Sequence, residues 1–293
     1  MISTAKNKLE KETQKFQVKK ISGSNCVDET DAVVKEAPLE ISIAYGSTGN
    51  RKKELLAVTM RTPGNDFNMV TGWLFAEHMI QRSSDVVSIR FTGNFDAPEL
   101  QENALLIELA PDVIIDLSTK KKFITNSACG FCGSGAFDVS SHEGTYIPLD
   151  TGETIPQNTI SRLPELIQSC QGVFSITGGS HAVALFSFEG ELLSSFEDVG
   201  RHNAMDKLIG YMLKQQSIPL SNRIAVFSGR LSYELVQKAL AAGIPVVCSI
   251  GAPTSLAIEL ATDFNMTVIG FLKKERMNIY CGAERIALNK PAD

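Results

Sequence analysis

Three short apolar runs in the second half of the chain constrain its fold more than any other feature. Residues 224–227, 245–249 and 268–271 are each of strand length and apolar nearly throughout, and segments of helical length at 233–242 and 254–264 separate them. A half-exposed strand alternates apolar with polar residues, whereas a run without alternation is covered on both faces. Strands of that kind joined by helices pair in parallel, because a parallel connection needs a crossover long enough to hold a helix. Just upstream, residues 182–188 and 192–196 flank Glu189-Gly190 and are expected to form a hairpin, followed by a helix over 201–213. A hairpin feeding such units predicts an α/β fold with a mixed sheet between helical layers.

The first half has a different rhythm. Leu39, Ile41, Ile43 and Tyr45 alternate with polar or small residues, the period of a half-buried strand. Residues 55–60 form a second apolar run, ending at the turn signal Pro63-Gly64. Asn65 or Asp66 is placed to cap a helix whose buried face includes Phe67, Val70, Trp73 and Leu74. Further strands are expected at 86–91, 104–109 and 122–125. Residues 1–30 are polar and lysine-rich, without a sustained apolar period, and read as a mobile tail. The expected organisation is this tail, then a strand-rich mixed subdomain over 31–150, then an α/β domain over 151–293.

Composition narrows the setting. A chain of 293 residues with 43% hydrophobic and 21% charged residues is that of an ordinary globular protein with a sizeable core. A net charge of −5 argues against nucleic acid as the main partner. No apolar run reaches the length of a membrane helix, and the N-terminus lacks the apolar stretch of a secretory signal. Six unevenly spaced cysteines are too few for a disulfide scaffold in so long a chain. The expected location is the reducing cytoplasm, with mostly free, buried thiols and no membrane contact.

The strongest chemical feature is Ser127-Ala128-Cys129-Gly130-Phe131-Cys132-Gly133-Ser134-Gly135. Two cysteines two residues apart can point at one small volume, as a metal pair, a redox disulfide or a sulfur relay requires. The flanking glycines and serines describe an exposed, adaptable loop, from which a thiolate can reach a donor and then an acceptor. A structural zinc site needs four ligands, and no second CxxC or paired histidines accompany this one. The mixed sheet is similar to the cytidine-deaminase-like fold, yet His181-Ala182-Val183 lacks the glutamate a zinc deaminase needs, and no proline precedes Cys129. Cys170, Cys248 and Cys281 read as core thiols, and His78 and His142 as structural or exposed. A thioredoxin-like redox site would open a helix at the motif, which Gly133 and Gly135 disfavour.

Two further clusters lie in the second half. Glu197-Asp198-Val199-Gly200-Arg201-His202-Asn203 joins a strand to a helix and reads equally as a capped helix start, through Asp198, or as an anion site at a helix N-terminus. The segments after the three apolar strands are Ser228-Gly229-Arg230, Gly251-Ala252-Pro253-Thr254-Ser255 and Lys273-Lys274-Glu275-Arg276. Open α/β sheets bind ligands beyond the C-terminal ends of their strands, and these segments bring glycine, hydroxyls and cations there. That composition suits a phosphate-bearing ligand as well as it suits plain surface charge.

Taken together these segments resemble the FdhD family of formate dehydrogenase accessory sulfurtransferases. The resemblance rests on Ala37-Pro38-Leu39-Glu40-Ile41, Arg61-Thr62-Pro63-Gly64-Asn65-Asp66, the CxxC segment, Thr177-Gly178-Gly179-Ser180-His181-Ala182, the Glu197-to-Lys207 block EDVGRHNAMDK and residues 270–276. It implies a persulfide carrier that takes sulfur from a cysteine desulfurase. The acceptor it implies is the bis-molybdopterin guanine dinucleotide form of the molybdenum cofactor, needed by formate dehydrogenase. On that resemblance Cys129 carries the persulfide and Cys132 assists. The resemblance further implies that the guanine-nucleotide part of the cofactor is held by Phe271, Leu272, Lys273, Lys274, Glu275 and Arg276. The resemblance also implies a homodimer, no metal held by the protein itself, and a cytidine-deaminase-like three-layer C-terminal domain. The family pattern often carries Arg at the position of Lys273, which keeps the charge but loses the bidentate fork. Two other readings stay open: a thiol-disulfide oxidoreductase using the CxxC, and a chaperone that holds the cofactor without moving sulfur.

Overall fold

The computed structural model describes residues 9–94, 96–97, 100–115, 117, 123–124, 146–148 and 152–289. Its first element corrects the expectation of a tail. Strands β1 (Thr13–Ser22) and β2 (Asn25–Val34) form an antiparallel ribbon, in unbroken register from Thr13↔Val34 to Ser22↔Asn25. Nearly all its side chains are exposed on both faces, so it carries no apolar period to read. The backbone ladder holds it, with cross-strand pairs Lys19–Asp28 at 2.8 Å and Lys20–Glu29 at 3.0 Å. Such exposed pairs contribute at most about 1 kcal/mol each.

Strands β3 (Ala37–Tyr45) and β4 (Lys52–Arg61) form a hairpin that leads into helix α1 (Asp66–Ala76). Strands β5 (Val86–Phe91), β6 (Ala104–Leu109) and β7 (Phe123–Ile124) complete a five-stranded mixed sheet in the order β5-β6-β3-β4-β7. Leu39, Ile41 and Ile43 are fully buried, as their alternation requires. The start of α1 differs from expectation. Asn65 adopts a left-handed backbone (φ 58°) and makes no side-chain cap bond, while Asp66 turns back to Arg61 and accepts the Gly64 N–H. Val70, Trp73 and Leu74 are buried, but Phe67 is exposed and lies against the Phe91 ring, centroids 5.0 Å apart.

The second half begins with β8 (Ile155–Pro156), α2 (Gln157–Cys170) and the short α3 (Gly172–Thr177). Then follow β9 (His181–Ser187), β10 (Leu192–Asp198), α4 (Arg201–Lys214), β11 (Arg223–Phe227), α5 (Tyr233–Ala241), β12 (Val246–Ser249) and α6 (Ser255–Asp263). The chain closes with β13 (Thr267–Lys273), β14 (Arg276–Cys281) and β15 (Ile286–Ala287), the last paired in parallel with β8. The expected mixed sheet is present: six strands in the order β10-β9-β11-β12-β13-β14. Helices α4, α5 and α6 pack on one face through Met205, Leu208, Leu235, Val236 and Leu260. Helix α2 covers the other through Ile160, Leu163 and Ile167.

The regions before and after residue 150 share one core. Leu39, Trp73, Val183 and Leu208 belong to a single buried cluster. Helices α1 and α4 cross with their backbones touching. A Cβ at Gly72 would lie 2.0 Å from the Asp206 carbonyl oxygen, and one at Gly210 would lie 1.9 Å from that of Asn68. Only glycine permits that approach on both helices.

Candidate functional site

The pairing pattern gathers the chemistry at one sheet edge. β10 and β11 both run antiparallel to β9, and β11, β12 and β13 run parallel to one another. The C-terminal ends of β10, β11, β12 and β13 therefore lie along the same edge, where β9 begins at His181 and β14 at Arg276. The strand-end segments singled out in the sequence do meet here.

Just inside this edge lies a buried polar junction. Asp198 accepts the N–H groups of Thr62 (3.1 Å) and Gly200 (2.9 Å) and the Asn203 amide (3.0 Å), and pairs with Lys207 Nζ at 2.6 Å. Lys207 also donates to the carbonyls of Thr62 and Glu197, and Asn203 to that of Met60. Thr62 Oγ1 accepts the Val199 N–H at 3.0 Å. One turn along α4, Asp206 pairs with Lys238 at 2.6 Å, and burial pushes its carboxyl well up from the ordinary range. The segments around Thr62 and Asp198 are thus halves of one lock between the two sheets. Breaking such a buried pair leaves an uncompensated charge and costs about 3–5 kcal/mol.

Glu197, beside the lock, faces outward. It accepts the N–H groups of Val173 and Phe174, each at 2.9 Å, and the Ser180 hydroxyl at 2.8 Å. It caps α3 and sets the path of Gly178-Gly179-Ser180. That segment is one wall of a cleft of about 510 Å³. The opposite wall is α2, through Pro164, Glu165 and Gln168, and the sheet edge supplies His181, Ser228, Ile250, Leu272, Lys273 and Lys274.

Of the six residues expected from the resemblance to hold a nucleotide, Leu272, Lys273 and Lys274 line this cleft. Leu272 is fully buried, and Lys274 pairs with Glu165 of α2 at 2.9 Å. Phe271 is held in a left-handed backbone (φ 50°), its N–H donating to Gly251, with its ring 37% exposed. Glu275 lies in the exposed turn after β13, and Arg276, also exposed, opens β14. The α2 and α3 walls carried no sequence signal, because only three α2 residues are buried and Pro164 interrupts it.

The His181–His202 region resolves the two readings of the strand-to-helix block. Asp198, Asn203 and Lys207 belong to the scaffold, and α4 starts at Gly200 without a side-chain cap. His202 is buried, its Nε2 lying 3.2 Å from Ser232 Oγ and 3.7 Å from Glu234. Burial lowers the His202 pKa, while hydrogen bonding from His202 holds the Glu234 carboxyl at about 2. Burial, then the nearby Arg201 charge, likewise lowers His181.

Cys129 and Cys132 lie outside the described residues, as do Lys120, Lys121, Lys122 and His142. The chain leaves the five-stranded sheet after Ile124, which pairs with Val58, and is described again at Tyr146. The Pro148 carbonyl then accepts from Asn265 at 3.4 Å. Cys248 is buried in the core and its thiol pushed far up by burial, whereas Cys26 is exposed on the ribbon, against the expectation of mostly buried thiols. Among the described residues no three His, Cys, Asp or Glu side chains group as a metal site. No helix among them is long and apolar enough to cross a membrane.

A mixed sheet covered by helices on both faces, with a cleft at the C-terminal ends of its strands, defines an α/β protein. Residues 34–287 match the model of the FdhD/NarQ family, and the chain belongs to that family. It is 38% identical over 283 residues to the sulfur carrier protein FdhD of Streptomyces avermitilis, covering 96% of this chain and 98% of that one. It is 39% identical over 275 residues to the protein of the same name from Sulfurisphaera tokodaii, covering 94% and 99%. Its fold matches the crystal structure of a protein from Desulfotalea psychrophila described as a formate dehydrogenase accessory protein. The TM-score is 0.70 at 21% identity, over 94% of this chain and 99% of that one.

Proposed function

We propose that this protein is a sulfur carrier serving formate dehydrogenase. It takes sulfur from a cysteine desulfurase onto Cys129 and passes it to the bis-molybdopterin guanine dinucleotide form of the molybdenum cofactor. The observation that carries the reading is the cleft lined by Leu272, Lys273 and Lys274 in a chain whose relatives are named sulfur carrier proteins.

In the first step the Cys129 thiolate attacks the terminal sulfur of the donor's cysteine persulfide. A bond forms from Cys129 to that sulfur, the donor's S–S bond breaks, and the donor leaves as a thiolate. In the second, the Cys132 thiolate attacks the Cys129 sulfur. A Cys129–Cys132 disulfide forms, the terminal sulfur leaves as hydrosulfide to the cofactor's metal, and a dithiol reductant resets the pair. The cofactor is substrate here. Lys273 and Arg276 supply charge to its phosphates, and Phe271 offers a face on which a base can stack. Lys274 is partly committed to Glu165 and contributes less.

The test is maturation of a formate dehydrogenase in cells lacking their own copy of this protein. The reading expects Cys129→Ala to abolish activity, and a Lys273→Ala/Arg276→Ala protein to lose guanine-nucleotide affinity. Full maturation by Cys129→Ala would remove the persulfide step and leave a cofactor chaperone.

A further inference from the structure

The cleft wall opposite α2 is held by very little of its own structure. Helix α3 has 6 residues, too few to keep a helical shape in water unaided, and of them only Val173 is buried. Phe174 and Ile176 stay exposed, and Phe174 lines the cleft together with Gly178, Gly179 and Ser180. What fixes this wall comes from two segments far away in the chain. From β10, Glu197 accepts the N–H groups of Val173 and Phe174 and the Ser180 hydroxyl, so one carboxylate ties the start of α3 to the residues after it. From the β1–β2 ribbon, Val34 meets Gly179, where a Cβ would lie 2.7 Å from Val34 Cγ1.

The ribbon is placed to act at that one spot. Along β2 only Ala32 and Val34 are half-buried, while residues 25–31 are exposed, and it is β2 that packs against α3. The base of the ribbon is itself anchored: Glu12, just before β1, is buried, and its carbonyl accepts the Lys35 N–H at 2.8 Å. Gly178 needs its left-handed backbone (φ 65°) to end α3, but Gly179 is not in that region. A side chain is excluded at Gly179 by Val34 and not by the backbone. A ligand in the cleft binds only those molecules whose wall is in place, so its apparent affinity scales with that fraction.

We propose that Glu197 and Val34 are positioning residues that together hold α3 and Gly178-Gly179-Ser180 in place, and that the β1–β2 ribbon is a strap on the cleft wall. Neither side chain lines the cleft, so both act through the wall and not on a ligand. The effect on binding rests on the nucleotide reading of the cleft. The holding of the wall does not.

Hydrogen-exchange mass spectrometry of the full chain over residues 172–180, with β11 and β12 as internal reference, tests the hold on the wall. Isothermal titration with GDP tests its consequence. The variants are Glu197→Gln, Val34→Ala, Gly179→Ala and Gly179→Ala/Val34→Ala. Glu197→Gln loses one acceptor oxygen, and its wall amides should exchange about tenfold faster, the size of one charge-assisted hydrogen bond. Val34→Ala and Gly179→Ala should each speed the same amides while β11 and β12 stay at the wild-type rate. A short helix with one buried residue has a small margin, so GDP affinity should fall about two- to fivefold in Glu197→Gln as the open fraction grows. In the double variant the new methyl takes the space the valine leaves, and both readings should return toward wild type. Val34 is half-buried at the ribbon base, so its variant stays folded whatever Glu197→Gln does. Unchanged wall exchange in Glu197→Gln and Val34→Ala overturns the proposal, as does exchange that rises equally in β11 and β12. A double variant no better than Gly179→Ala removes the ribbon from it. Faster wall exchange with unchanged GDP affinity in every variant overturns the link to binding. Wild type that ignores GDP sinks the nucleotide reading instead, and the exchange pattern then decides the strap by itself.

Discussion

Two groups of charges sit within a few residues of each other at the C-terminal edge of the six-stranded sheet, and they are treated oppositely. Asp198, Lys207 and Asn203 are buried and paired with Thr62, Met60 and one another. Arg201, half-buried at the start of α4, and Arg230, exposed after β11, have no carboxylate within ion-pair distance among the described residues. A folded chain buries charge only when it is paired, and leaves cations unpaired where something else is to supply the anion. The block from Glu197 to Lys207 therefore holds a lock between the two sheets, with Arg201 standing outside it.

The sharpest way to break that contrast is in the lock. Lys207→Met leaves Asp198 buried without its ion-pair partner and is expected to cost about 3–5 kcal/mol in equilibrium urea unfolding. Gly72→Ala attacks the same junction sterically, driving a methyl group into the α4 backbone, and should cost about 3 kcal/mol with no change of charge. Arg201→Gln tests the other side. It should leave the unfolding free energy within about 0.5 kcal/mol of wild type, because no ion pair among the described residues is lost. An Arg201 variant as unstable as Lys207→Met would merge the two groups into one scaffold.

The smallest effect is in pH. His181 and His202 are both held below the ordinary histidine value of 6.5 in the folded chain. The unfolded chain then binds protons more readily, so this contribution to stability is complete above 6.5. It declines as pH falls through the folded values. Urea unfolding at pH 7.5 and pH 5.5 should show less stability at the lower pH, and His202→Gln should narrow the gap. A gap unchanged by that substitution would mean His202 is not held neutral.

What could be read from the sequence follows from what leaves a pattern. Strands β11, β12 and β13 are apolar throughout and spaced by helices, so their parallel pairing was legible. The β1–β2 ribbon was not, because solvent covers both its faces and its stability lies in a backbone ladder that any polar sequence can make. Helix α2 escaped for a related reason, with three buried residues and an internal proline. At the site, the position of Lys273 and Ser228 followed from strand ends alone. The division of labour between Asp198 and Arg201 did not. Both fit a helix start, and what separates them includes a partner, Thr62, that lies 136 positions away in the chain. The wall built by Glu197 and α3 was hidden in the same way.

The central claim is that Cys129 carries sulfur, and intact-protein mass spectrometry after incubation with a cysteine desulfurase and cysteine tests it most directly. The account predicts a gain of one or more sulfur atoms on wild type, removed by reductant and absent from Cys129→Ala. Wild type that gains no sulfur, or a Cys129→Ala protein that gains as much, would contradict it.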